Sequence, residues 1–149
     1  MISWPLSRAL FDQILEDRCS DRFVCERIWE RLGYLSDEPN WVAGLTTPSD
    51  WAVAFPLAPD FIADRSASVF LTRSIPKEHK QLLKQKLNFS GYRIGELYPR
   101  KTRRATAANW LLAWLAQQRC PLDEHGPLAP DLMPPSDPVQ GHAGDLRVR

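Results

Sequence analysis

The run Tyr98-Pro-Arg-Lys-Thr-Arg-Arg104 puts four cationic side chains at the predicted start of the last helix of the chain. Cations at a helix N-terminus oppose the helix dipole, at a cost of about 0.3–1 kcal/mol each. The free backbone N–H groups of a first helical turn and neighbouring guanidinium groups together favour an anion. The sequence therefore predicts a site for a phosphate, a nucleic-acid backbone or a cluster of carboxylates.

Charge is sorted along the chain in a way that supports this prediction. Residues 65–104 hold 11 Lys/Arg and 2 Asp/Glu, whereas residues 1–64 hold 5 Lys/Arg and 11 Asp/Glu. Such asymmetry indicates either a basic surface for an anionic partner or two parts of one fold that neutralise each other. For the first case the predicted binding residues are Arg73, Arg93, Arg100, Lys101, Arg103 and Arg104, with Lys77, Lys80, Lys84 and Lys86 as an extension. For the second case the internal carboxylates are Asp12, Glu16, Asp17 or Glu30.

Four kinds of function are compatible with a basic surface of this kind. We expect a non-enzymatic accessory protein that docks an acidic protein surface, because the sequence contains no recognisable nucleic-acid module. Sequence-tolerant RNA or DNA binding is the first alternative, since Phe89, Tyr92 and Tyr98 lie among the basic residues and could stack on bases. The second is a small enzyme that acts on a phosphorylated metabolite. The third is an interaction scaffold that binds proteins through Trp41 and Trp51, although a packed lid is the favoured interpretation of these two residues.

Catalytic signatures are absent from the sequence. There is no P-loop, no dinucleotide fingerprint, no nucleophile elbow and no His-Glu-x-x-His run. The three histidines, His79, His125 and His142, do not accompany a recognisable nucleophile. The three cysteines do not have the spacing of a disulfide framework or a zinc site. We expect no enzyme activity, no cofactor and no metal.

The elements that must position the basic residues are mostly helical. Two amphipathic segments within residues 5–33 predict a pair of helices, with Ser20 as the second N-cap and Gly33 as its C-terminal stop. Thr47-Pro48 predicts a short helix that ends before Pro56. Residues 68–73 and 92–97 predict two strands separated by a helix. The last helix covers about residues 102–118 and is apolar on nearly every face, which predicts a central, buried position.

These elements predict one α+β, mostly helical domain over residues 1–118, with a minor two-stranded element. Residues 119–149 are rich in Pro and contain no aromatic residue, so we expect a disordered tail. The first residues lack the basic start and apolar run of a signal peptide, and no apolar stretch approaches the roughly 20 residues that span a bilayer. We therefore expect a cytoplasmic protein without membrane association.

Two runs of the sequence resemble a family of unknown function. They are Ala67-Ser-Val-Phe-Leu-Thr-Arg-Ser-Ile-Pro-Lys-Glu-His-Lys-Gln-Leu-Leu-Lys84 and Gly91-Tyr-Arg-Ile-Gly-Glu-Leu-Tyr-Pro-Arg-Lys-Thr-Arg-Arg-Ala-Thr-Ala-Ala-Asn-Trp-Leu-Leu-Ala-Trp114. The chain is similar over about residues 5–118 to a domain-of-unknown-function family of cyanobacteria and plant plastids. The resemblance implies a photosynthetic lineage and a cyanobacterial cytoplasm, and it supplies no activity and no site residue.

Overall fold

The computed structural model describes residues 3–149, so Met1 and Ile2 of the predicted domain lie outside the described residues. The helices are α1 (Arg8–Leu15), α2 (Asp21–Arg31), α3 (Ser49–Ala54), α4 (Arg65–Ser74), α5 (Leu82–Leu87) and α6 (Pro99–Gln117). Strands β1 (Leu35–Asp37) and β2 (Asn40–Val42) pair antiparallel, and two 3-10 turns cover Lys77–His79 and Ile94–Glu96. The prediction of a mostly helical α+β fold with a two-stranded element is confirmed.

Helix α6 lies at the centre of the core, as its sequence predicts. Ala107, Ala108 and Leu111 are fully buried, and α1, α2, α4 and α5 all pack against α6. The helix begins three residues earlier than predicted, because Pro99 occupies its first turn, where the missing N–H of proline has no intrahelical partner to lose. Within residues 3–149, no helix has the length and apolar character needed to cross a membrane.

The predicted pair of N-terminal helices forms with the expected caps. The side chain of Ser7 accepts a hydrogen bond from Leu10 N, and that of Ser20 accepts one from Phe23 N. Gly33, with φ of +82°, follows the end of α2, and its N–H donates to Glu30 O while Tyr34 N donates to Trp29 O. This pair of bonds satisfies the last carbonyls of the helix and stops it where the sequence predicts.

The two strands are not where the sequence analysis predicts them. Residues 68–73 belong to α4, because Asp64 caps that helix at Ser66 N, and because Ala67 and Leu71, one turn apart, both point into the core. Residues 92–97 contain only the short 3-10 turn. The β-branched and aromatic composition that favours a strand is overridden at α4 by burial along a single helical face.

Residues 119–149 contain no helix or strand, yet they lie against the domain through a series of hydrogen bonds. Arg8 N donates to Asp123 O at 2.8 Å. The Gln13 side chain donates to Ala129 O and accepts from Ala129 N, both at 3.0 Å, and Ala129 is 4% exposed. Composition alone predicts disorder here, because it does not show that the Gln13 side chain of α1 supplies partners for the backbone of the tail.

Candidate functional site

Arg100 and Arg104, the two guanidinium groups expected to face an external anion, are buried inside the fold. Both are 0% exposed. Arg100 Nη1 donates to Asp17 Oδ2 at 2.6 Å, and Arg100 Nη2 and Arg104 Nη1 each donate to Asp21 Oδ1 at 2.8 Å. The structure therefore corrects the expectation that these two residues belong to a water-facing surface.

The physical reason is the position of two carboxylates opposite the first turns of α6. Asp17 follows α1 and Asp21 begins α2, so the loop between these helices brings both aspartates to the N-terminus of α6. Burial would raise the pKa of Asp17, but the hydrogen bond from Arg100 and the charges of Arg104, Arg100 and His142 outweigh burial and lower that pKa. Internal neutralisation, the alternative in the sequence analysis, thus holds for Arg100 and Arg104.

The tail adds two groups to this buried cluster. Asp145 Oδ2 lies 3.4 Å from Arg100 Nη2, and Asp145 Oδ1 accepts from Asp21 N at 3.0 Å. His142 Nε2 lies 3.1 Å from Asp17 Oδ1. Burial and the neighbouring charge of Asp21 raise the pKa of Asp145. Asp17 is among the carboxylates that the sequence offers as internal partners, but Asp21 is not, and Asp145 and His142 lie in the segment predicted to be disordered.

Lys101 and Arg103 also have internal partners, but neither side chain is fully buried with them. Lys101 Nζ lies 3.0 Å from Glu96 Oε2 and 4.9 Å from the centroid of the Tyr92 ring. Arg103 Nη1 donates to the Ile62 and Ala63 carbonyls at 3.0 and 3.2 Å, and the Arg103 guanidinium remains partly exposed. Arg103 can therefore still contact a ligand, whereas a ligand would have to compete with Glu96 for Lys101.

Arg73 and Arg93 are the two predicted residues that stay exposed. Within residues 3–149, neither side chain forms an ion pair or a hydrogen bond. Arg73 lies in the last turn of α4, and Arg93 precedes the 3-10 turn at Ile94–Glu96. The structure therefore divides the six predicted residues into a buried pair, two with internal partners and two exposed cations.

Several exposed cations lie close together on the surface formed by α4, the segment 75–91 and the first half of α6. Two depressions, of about 300 and 420 Å³, open on either side of Thr72. We call this surface the basic groove and define it by its five cationic lining residues, Arg65, Arg73, Lys80, Lys84 and Arg103. Arg93 does not line either depression.

The lining of the basic groove is cationic and apolar. Val69 and Leu97 are 36% and 56% exposed at the larger depression, and Ile75, Leu83 and Phe89 line the smaller one. Among the residues that the structure describes, no Asp, Glu or His lines either depression. An arrangement of this kind can bind carboxylates or phosphates that are attached to apolar groups, and among the described residues it offers no carboxylate or imidazole as an acid or base.

Arg65 is the groove residue that the sequence analysis misses. The predicted strand covers only residues 68–73, so Arg65 lies outside it and no predicted element places Arg65 beside Arg73. With Asp64 accepted as an N-cap, the spacing of Arg65, Val69 and Arg73 would have placed all three on one helical face. Lys80 and Lys84 were named as extensions of the predicted surface, and they do line the groove.

Trp41 and Trp51, the predicted protein-binding aromatic residues, belong to the core. They are 8% and 3% exposed. The Trp51 ring packs against Phe55, Phe61 and Phe70, with centroids 4.5–5.9 Å apart, and the Trp41 ring lies 5.5 Å from that of Trp29. The prediction of an exposed aromatic scaffold is corrected, because the Pro-rich segment 34–64 folds inward onto α2 and α4.

Cys19 and Cys25 contribute to packing, whereas Cys120 is exposed. Cys19 and Cys25 are buried free thiols, and burial raises the pKa of Cys25 well above its ordinary value. Among residues 3–149, no group of three His, Cys, Asp or Glu side chains is arranged to hold a metal ion.

Comparison with known proteins identifies a solved structure that is similar to this chain and a family whose sequence model matches it. A protein whose structure was determined in solution by NMR is 46% identical to this chain, with a TM-score of 0.67, and the match covers 79% of this chain and 99% of that one. No curated protein is similar enough to this chain to count as a relative. The sequence model of a family described as a domain of unknown function, DUF1823, matches residues 5–116. The cyanobacterial or plastid origin stays a prediction. The family resemblance itself is confirmed, and this chain belongs to the DUF1823 family.

Proposed function

We propose that this chain is a non-enzymatic binding protein that docks an acidic partner protein on the basic groove. The observation that carries the proposal is the contrast between two sets of cations. Arg100 and Arg104 are matched by carboxylates inside the fold. Arg65, Arg73 and Lys84 are exposed, and within residues 3–149 their side chains form no ion pair and no hydrogen bond.

The apolar residues beside these cations favour a protein partner. Exposed Val69 and Leu97 lie beside Arg65, Arg73 and Arg103 at the larger depression. Protein interfaces combine an apolar centre with a polar or charged rim, and charge complementarity directs which partner is bound. A carboxylate-rich protein surface with one or more apolar side chains has the composition that this groove would complement.

Nucleic acid is less favoured, because Tyr92, which lies among the basic residues and could stack on bases, has internal partners. Tyr92 packs edge-on against Phe89 with ring centroids 5.1 Å apart, and Lys101 lies over the Tyr92 ring. The Tyr92 hydroxyl donates to Leu15 O at 2.9 Å. Sequence-tolerant binding of single strands depends on free aromatic faces beside the cations.

A small enzyme is also less favoured. The depression beside Arg103 is the place where a phosphorylated metabolite would meet cationic side chains. Its lining is Arg65, Ser68, Val69, Thr72, Arg73, Leu97, Pro99, Thr102 and Arg103. A general acid or base would have to lie within hydrogen-bond reach of the substrate, and this set contains no carboxylate and no imidazole.

The test is affinity purification from the native cell with three forms of the tagged protein. The variant Arg73→Glu/Lys84→Glu reverses two charges in the basic groove. The matched control Lys86→Glu/Arg147→Glu makes the same change in net charge at exposed cations that do not line either depression. We expect an acidic protein that is retained by the wild type and the control and is lost from the groove variant.

The retained protein is then purified and titrated against each form at several salt concentrations. We expect at least tenfold weaker binding by the groove variant, and an affinity that falls as salt screens the charges. If the groove variant and the control bind equally, the proposal is overturned. If nuclease treatment removes the material that the wild type retains, nucleic-acid binding replaces the proposed function.

A further inference from the structure

The smaller depression of the basic groove has the features of a pocket for one apolar side chain. It lies between the end of α4, the N-terminal part of α5, the loop 89–91 and the middle of α6. We infer that this pocket receives one large apolar side chain from an acidic segment of the partner, while Lys80 and Lys84 pair with carboxylates that flank that side chain. The inference rests on the proposed function and names the kind of segment that binds.

Two polar side chains in the pocket wall, Asn109 and Thr106, are already hydrogen-bonded within the protein. Asn109 Oδ1 accepts from Leu83 N at 3.2 Å, and Asn109 Nδ2 donates to His79 O at 2.9 Å. The Thr106 hydroxyl donates to Thr102 O at 3.1 Å. A ligand would therefore gain little by presenting hydrogen-bonding groups to these two residues.

The rest of the wall combines exposed polar residues, Thr72, Gln81 and Ser90, with an apolar surface. Ile75, Leu83, Phe89 and Ala105 line the pocket together with the aliphatic portions of the two lysines. The volume of about 300 Å³ equals the share of roughly ten water molecules in the liquid, which is enough for a leucine or an aromatic side chain. An apolar group that enters would release this water and bury apolar surface, which is how anchor residues stabilise interfaces.

The two lysines set the charge preference of the segment that carries the anchor. Lys80 Nζ donates to Thr72 O at 2.9 Å, which holds the ammonium at the edge of the pocket and leaves two of its N–H groups free. Lys84 is exposed, and within residues 3–149 its ammonium forms no hydrogen bond or ion pair. An acidic segment that places an apolar side chain in the pocket brings its neighbouring carboxylates to these donors.

The test uses a library of random twelve-residue peptides displayed on phage and selected on the full-length protein. We expect enriched peptides that contain several Asp or Glu residues around one Leu, Phe or Trp. A synthetic peptide of the enriched sequence is then compared with the same peptide carrying Ala in place of the apolar residue. Loss of the anchor should weaken binding about ten- to hundredfold.

Two variants separate the pocket from the rest of the groove. Ala105→Phe fills the pocket from α6, and Ser90→Trp covers it from the exposed loop, so one remains informative if the other unfolds in a thermal melt. We expect both to bind the anchored peptide no better than the wild type binds the Ala peptide. The inference would be overturned if the selected acidic peptides shared no apolar residue, or if the filled variants bound the anchored peptide as tightly as the wild type does. Either result would leave the proposed function standing. Selection of peptides without acidic residues would overturn both.

Discussion

The guanidinium groups of Arg100 and Arg104 lie one helical turn apart and share the Asp21 carboxylate, while Arg100 also binds Asp17. All four side chains are at most 3% exposed. Attraction between buried charges offsets a desolvation penalty of several kcal/mol per ion only while every partner is present. These four residues therefore hold α6 to the loop between α1 and α2, and their role is structural.

Removal of one carboxylate from this cluster should strongly destabilise the protein. Asp21→Asn removes the carboxylate that the two buried guanidinium groups share, and we expect a loss of about 3–5 kcal/mol in the free energy of unfolding. Urea denaturation followed by tryptophan fluorescence measures this loss. Asp131→Asn, which removes the carboxylate that pairs with Arg18 at the surface, should change the urea midpoint little. Equal effects of the two changes would contradict a structural role for the buried cluster.

The lowered pKa of Asp17 makes part of this stability dependent on pH. The folded state holds the proton of Asp17 less tightly than the unfolded state, because Arg100, Arg104 and His142 face its carboxylate. Its contribution is present above the ordinary aspartate pKa of about 4 and is lost as pH falls through the lower folded value.

We therefore expect the difference in unfolding free energy between the wild type and Asp17→Asn to be largest above about pH 5 and to shrink towards pH 3. Urea titrations at half-unit pH intervals measure it. Asp37→Asn, in the exposed strand β1, serves as the control. A difference that stays constant or grows as pH falls would mean that Arg100 and Arg104 do not stabilise the ionised Asp17.

At the scale of elements, the sequence predicts most helices and misplaces the strands. Local signals mark α2 and α3: the Ser20 cap, the Gly33 stop and Thr47-Pro48. The composition of residues 68–73 predicts a strand, but the helical spacing of Ala67 and Leu71 decides the structure of this segment. The Asp17–Arg100 pair is separated by 83 positions, and no local signal joins groups so distant. The sequence therefore indicates that a basic surface exists but assigns its centre to residues that the fold buries.

Helix α6 provides a direct test of which of its faces is packed. Ala107 is fully buried, whereas Ala105 lines the pocket of about 300 Å³. Ala107→Leu adds three carbons to a filled core and should cost about 1–3 kcal/mol of stability. Ala105→Leu extends into the pocket and should leave the thermal midpoint nearly unchanged. Equal destabilisation by the two substitutions would contradict the presence of an open pocket beside α6.

For the whole molecule, the family match ends at residue 116, and the tail that follows lies over α1 and the Arg100 cluster. Arg18 and Asp131 form a two-bond ion pair there, at 3.0 and 2.6 Å, and Asp145 reaches Arg100. The tail thus supplies carboxylate partners for Arg18 and Arg100, whereas within residues 3–149 the cations of the basic groove form no ion pair.

Amide hydrogen exchange distinguishes an ordered tail from a disordered one. The Ala129 N–H is buried and donates to Gln13 Oε1 at 3.0 Å, so we expect it to exchange much more slowly than an unstructured amide. The exposed Gly126 amide provides the internal reference. Gln13→Ala should remove the protection at Ala129. Fast exchange of the Ala129 amide in the wild type would mean that the tail does not hold this position in solution.

Binding of acidic polypeptide in the basic groove can be measured by NMR titration of the isotope-labelled protein with a twelve-residue glutamate peptide. We expect chemical-shift changes to concentrate at Arg65, Val69, Arg73, Lys84 and Thr102. Added salt and the Arg73→Glu/Lys84→Glu variant should both abolish them. Changes that are absent, or that centre on Arg93 and the tail, would contradict binding in the basic groove.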